Sequence, residues 1–129
     1  MTRPVRLLFF TQTLGCDTCP IARQILDELP PLSAAITIEE VNFILEADKA
    51  RQYGIDRVPA VALTAREGEE WQDTRVRFLG APAGYEFLSL VRAILLVGGG
   101  RAPDLSEGSR TRLSALDKPL TMRVFTTPT

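Results

Sequence analysis

Cys16 and Cys19 are the only cysteines in the chain. They stand together in Cys16-Asp17-Thr18-Cys19-Pro20, directly after an apolar run and at the start of a helical pattern. Two thiols separated by two residues at a helix start can close a disulfide across one turn, and the helix N-terminus favours the thiolate form. The placement therefore constrains the fold as well as the chemistry, because a strand must end and a helix begin at this point.

The chain has 129 residues with 45% hydrophobic content, enough for one sizeable core. A net charge of -1 gives no electrostatic reason to expect nucleic acid or an anionic membrane as partner. Leu7 to Phe10 is too short for a signal-peptide core. The apolar stretch Phe87 to Val97 is interrupted by Ser89 and Arg92 and is too short to span a bilayer. The expectation is a cytoplasmic protein, where a cysteine pair serves redox cycling or metal binding more often than it staples a fold.

Val5 to Phe10 reads as a buried strand and Thr11 to Gly15 as the loop that delivers Cys16. Ile21, Ile25, Leu26 and Leu29 recur at helical spacing until Pro30-Pro31. Ala35 to Phe43 reads as a second strand, with Ile36, Ile38 and Val41 apolar, and Glu46 to Tyr53 as a short helix ending at Gly54. Pro59 enters a third strand through Leu63 and is a candidate for a cis peptide bond. Arg66 to Glu70 is a polar hairpin turn, and Trp71 to Leu79 a fourth strand. After the loop Gly80 to Gly84, Tyr85 to Val97 forms an amphipathic helix with Phe87, Leu88, Val91, Ile94 and Leu95 on its apolar side, ended by Gly98-Gly99-Gly100. Tyr53, Trp71 and Tyr85 read as packing residues. The order is β-α-β-α-β-β-α.

That order, with the dithiol after the first strand and a proline entering the third, resembles the thioredoxin fold, an α/β architecture with a central mixed four-stranded sheet flanked by helices. The segments Phe9 to Cys16, Tyr53 to Ala60 and Gly80 to Phe87 resemble the N-terminal unit of the protein disulfide oxidoreductases, glutaredoxin-like proteins built from two tandem thioredoxin-fold units. The N-terminal domain of the flavoprotein component of alkyl hydroperoxide reductases shares that two-unit plan. The resemblance implies a thiol-disulfide oxidoreductase acting on protein disulfides, supplied by an upstream thiol reductase. It implies no cofactor beyond the redox-active pair Cys16-Cys19.

In this reading Cys16, the more N-terminal thiol, lies closer to solvent and to the free helix N–H groups and is the nucleophile, with Cys19 resolving. Asp17 beside it opposes a second negative charge, which predicts a mildly reducing dithiol and an upward shift of tens of millivolts on Asp17→Asn. The resemblance makes Val58 and Pro59 part of the substrate surface, with Leu14, Gly15, Gly80 and Ala81 as a shallow apolar rim. Pro59 can also be read as the start of an edge strand, and Gly80 as a turn residue only. Glutathione is a weaker substrate choice than protein disulfides, since Arg57-Val58-Pro59 lacks the threonine of the usual glutaredoxin tripeptide. Glu39, Glu40 and water are candidate proton acceptors for Cys19.

Residues 1–100 read as the thioredoxin-like domain and 101–118 as a linker whose helix opens at the variant capping box Asp104-Leu105-Ser106-Glu107 and runs to Leu116. Residues 119–129 read as the first strand of a second, truncated unit, because Leu120 to Phe125 followed by threonines repeats the pattern of Val5 to Thr13. Such a tail could also mediate a dimer. Other classes remain open: half of a structural zinc site, although no histidine or second cysteine pair is present; a docking unit of a larger redox protein; or an electron-transfer domain serving a peroxidase.

Overall fold

The structure, a computed structural model, describes residues 1–100 and 102–127. Strand β1 (Val5–Thr11) is its axis: six of its seven residues are buried, as expected of a strand covered on both faces. With β2 (Ile36–Asn42), β3 (Ala60–Glu67) and β4 (Glu70–Leu79) it forms a four-stranded sheet in the order β2-β1-β3-β4. The β1/β2 pair is parallel, while β1/β3 and β3/β4 are antiparallel, so the sheet is mixed.

Alternation along β1 separates two cores. Val5, Leu7 and Phe9 pack with Ala22 and Leu26 of helix α1 (Cys19–Leu26) and with Leu90 and Ile94 of helix α3 (Tyr85–Val97). On the opposite face, Leu8 and Phe10 pack with Val41, Ile55 and Ala50 of helix α2 (Ala47–Gln52). The result is a helix–sheet–helix sandwich with two helices on one side and one on the other. A fourth helix, α4 (Glu107–Ser114), lies outside both cores with no buried residue.

Most expected elements are present, and the differences have physical causes. The buried side of α1 is Cys19, Ala22 and Leu26, whereas Ile21 is 49% exposed, because the helix begins at Cys19 and the burial of that residue sets its face. Leu90 lies at the centre of the α3 stripe, fully buried, and Leu88 faces out. Tyr85 is 81% exposed and does not pack as expected. Trp71 does pack, beneath the Arg6 guanidinium at 4.5 Å. Ser106 alone caps α4, its hydroxyl accepting from Ser109 N. Leu120 to Phe125, expected as a strand, has no strand pairing among the described residues, and Leu120, Met122, Val124 and Phe125 are exposed. A strand needs a neighbour to satisfy its backbone, and the described residues offer this segment none. Pro128 and Thr129 lie outside the described residues.

The three glycines after α3 do more than end it. Thr2 N and Arg3 N donate to Gly98 O at 2.9 and 3.1 Å, and Arg3 Nε donates to Val97 O at 2.7 Å. The N-terminal segment thus satisfies carbonyls that a helix end leaves without partners.

Candidate functional site

Strand register gathers the predicted site residues at one end of the sheet. Thr11 ends β1 opposite Asn42, Phe10 lies opposite Ala60, and Ala60 opposite Leu79. The 12–18 loop, the approach to β3 through Val58 and Pro59, and the turn beginning at Gly80 therefore emerge together. The C-terminal end of β2 and the start of α3 share this end.

Cys16 and Cys19 form a disulfide with Cα atoms 5.5 Å apart. Cys16 is half-buried in the turn before α1 and Cys19 is 3% exposed in its first turn. Pro20, at the second helical position, removes one N–H that would otherwise be unpaired there. Gly15 adopts φ +75°, a conformation that disfavours a side chain. Gln12 Nε2 holds the loop by donating to Leu14 O at 2.8 Å. Leu14 itself is 84% exposed, and Asp17 is exposed.

The Val58-Pro59 peptide is cis. Pro59 is buried, and its carbonyl accepts from Gly80 N at 2.8 Å, joining two predicted site residues directly. Val58 is half-buried against the α2-side core, whereas Ala81 packs against the α1/α3-side core. The rim is thus uneven: Leu14 and Gly15 stand proud, and Gly80 and Ala81 are recessed. Two cavities, of about 240 Å³ beside α2 and about 310 Å³ between Leu29, Leu32 and α3, are lined by neither cysteine.

Of the carboxylates considered as proton acceptors, Glu39 is ion-paired with Lys49 at 2.8 Å and Glu40 with Arg23 of α1. A different acid, Glu86, lies in the first turn of α3 at the dithiol end, and burial pushes its carboxyl pKa up. Its sequence signal was an acid two residues past Gly84 in the first turn of a largely apolar helix. Sequence reasoning also missed a pair on β4. Arg77 makes a two-pronged contact with Asp73, at 2.8 and 2.7 Å, and donates from Nε to Tyr53 O at 3.1 Å. The guanidinium lies 5.6 Å from the Tyr53 ring and holds the Asp73 carboxyl below its ordinary range. Among the described residues, no group of three or more His, Cys, Asp or Glu side chains could hold a metal ion.

No family model matches the chain. It is 30% identical over 88 residues to a probable thioredoxin of Methanothermobacter marburgensis, covering 67% of this chain and 92% of that one. The chain belongs to the thioredoxin family. With the Cys16–Cys19 disulfide in place at the head of α1, this family member is a thiol-disulfide oxidoreductase unit. It is also 33% identical over 117 residues to the alkyl hydroperoxide reductase component AhpF of Staphylococcus epidermidis, covering 90% of this chain but only 20% of that relative. The N-terminal domain of alkyl hydroperoxide reductase AhpF from Enterococcus faecalis superposes with a TM-score of 0.78 at 31% identity, covering 92% of this chain and 55% of that one. The chain therefore spans a fifth of the first of these two proteins and about half of the second.

Proposed function

We propose that this thioredoxin-family unit reduces or exchanges protein disulfides by a Cys16/Cys19 relay, and that it does so as part of a longer oxidoreductase. The difference in access between the two sulfurs carries the reading: a half-buried Cys16 can meet a partner, while a buried Cys19 can meet only Cys16. In the reduced protein the Cys16 thiolate attacks one sulfur of a substrate disulfide and expels the other as a thiolate. Cys19 loses its proton and attacks Cys16 Sγ, which breaks the mixed disulfide and releases the second substrate thiolate. Two electrons pass to the substrate, whose thiolates gain two protons, and the protein is left as the disulfide. An upstream dithiol restores the starting state by the reverse exchange.

Val58 and Pro59 form the edge against which an extended substrate segment lies in this proposal, with Leu14 and Gly15 beside it. The exposure of Leu14 and Gly15 beside Cys16 supports a macromolecular substrate, whose contact would cover them. The likeness to AhpF supports a narrower form of the same reading, in which the electrons pass to a hydroperoxide-reducing partner. The repeat-like segment 119–129 supports a tandem second unit joined through 101–118. No helix among the described residues is long and apolar enough to cross a membrane, and the proposed setting is the cytoplasm.

The deciding test is a thiol-trapping titration of Cys16 and Cys19 in defined dithiol buffers, with zinc measured on the same sample. A single two-electron transition between about -300 and -180 mV supports the relay. Thiols that resist trapping until metal is stripped overturn it in favour of a zinc site.

A further inference from the structure

The β3/β4 pairing carries an irregularity that a plain hairpin would lack. Ala62 lies opposite Arg77 and Thr64 opposite Asp73, so two steps on β3 face four steps on β4. The extra length is taken up around Arg75, whose φ is +66° and whose N–H donates to Asp73 Oδ1 at 2.8 Å. In a regular strand, residues four apart are separated by about 13 Å. The bulge shortens that span and brings the Asp73 carboxylate within two-pronged reach of the Arg77 guanidinium. Bulges commonly re-aim side chains in this way beside functional sites.

The re-aimed guanidinium reaches the segment that leads into Pro59. It donates to Tyr53 O and lies over the Tyr53 ring, and that ring in turn meets Phe10 at 6.2 Å, next to the end of β1. The other end of the segment is held by Gly80 N on Pro59 O. Residues 53–59 are thus held from β4 and the residue that follows it at both ends, while Ile55 N, donating to Ala50 O at 2.8 Å, ties the start of the segment to α2. Between them, Asp56 and Arg57 are exposed, and Val58 rests on the same core cluster as Tyr53. We propose that the Asp73–Arg77 pair is a positioning device that sets the edge offered by Val58 and Pro59, and so determines affinity for protein disulfides without acting on the dithiol. A fixed fork of donors preorganised by a carboxylate suits that task better than a flexible lysine. The inference rests on the proposed exchange reaction.

The test compares the wild-type protein with Arg77→Lys and Asp73→Asn, the second being the gentler change if the first folds poorly. Three quantities are measured: steady-state reduction of insulin, the rate of the reduced dithiol with 5,5′-dithiobis(2-nitrobenzoate), and the redox potential. Loss of a charged, geometrically specific bond predicts a KM for insulin raised about tenfold with kcat within about twofold, and an unchanged rate with the small disulfide and unchanged potential. An unchanged KM in a variant of lowered Tm makes the pair merely structural and overturns the proposal. A parallel fall in both rates also overturns it, since the pair would then act on the thiols. A wild-type protein that reacts with the small disulfide but not with insulin refutes the exchange reading itself, and the proposal with it.

Discussion

Gly99→Ala tests the contact between the N-terminal segment and the end of α3. Gly99 has φ +75°, and a Cβ built there overlaps Thr2 Oγ1 outright. The backbone conformation alone costs about 1 kcal/mol or a little more with an L side chain. Thr2 is β-branched and short, so it escapes only by leaving its rotamer, which adds about 1 kcal/mol. Its hydroxyl contact with Gly98 O is long, at 3.4 Å, and adds little. The sum is about 2–3 kcal/mol, or a Tm lowered by roughly 10 °C. Gly68 supplies the control, because it has φ +62° with nothing within 4 Å of its Cβ position among the described residues. Gly68→Ala should show the backbone cost alone. Urea unfolding of both variants, together with Thr2→Ala and the Thr2→Ala/Gly99→Ala double variant, gives the coupling, expected to be about 1 kcal/mol. A Gly99→Ala variant no less stable than Gly68→Ala, or one that trimming Thr2 does not rescue, would refute the predicted clash.

Other expectations concern the dithiol and two further acids. Cys19→Ser should trap a stable mixed disulfide with a substrate protein through Cys16, and Cys16→Ser should trap none; mass spectrometry of the adducts decides, and the reverse pattern would exchange the two roles. Asp17→Asn should lower the Cys16 thiol pKa and raise the potential, but exposure of the carboxylate limits the shift to on the order of 10 mV; a shift several times larger, read by equilibration with glutathione, would place the charge in a drier setting. Because Arg77 holds the Asp73 pKa below its unfolded value, the contribution of Asp73 is present above the unfolded pKa of about 3.9 and is lost as pH falls through the folded one. Urea unfolding of wild type and Asp73→Asn at neutral and strongly acid pH should therefore show a gap that closes in acid. Glu86 runs the other way: burial raises its pKa, so its favourable contribution holds below the unfolded value of about 4.3 and is lost as pH rises through the folded value. Glu86→Gln should be more stable than wild type at neutral pH and no different in acid.

Legibility of the sequence followed the range of the forces involved. Periodicity located every strand of the sheet and bounded α3 at Tyr85–Val97, because burial on one or both faces writes itself into spacings of two and of three to four residues. The two thiols and Pro59 were legible for a related reason, since each carries a local constraint of its own. Leu90 escaped notice because Phe87, Leu88 and Val91 drew the stripe one step to the side of its true centre. The β4 bulge left no local mark at all: Asp73 and Arg77 read as ordinary exposed charges on a regular strand, and only the register against β3 shows that they meet. The exposure of Tyr85 was likewise invisible, since an aromatic side chain at a helix start reads the same whether or not anything lies across from it.

The two sides of the proposed site rest on different foundations. Helix α1, which carries Cys19, is rooted in the layer it shares with α3, while Tyr53 and Val58 belong to the α2 layer, with β1 standing between. A substitution that repacks one layer reaches the other through the sheet, since β1, β2 and β3 each send side chains into both. In the proposed exchange, the thiol and the Val58 edge rest on different helices, so substitutions in α1 and in α2 give a lineage separate handles on sulfur chemistry and on choice of partner.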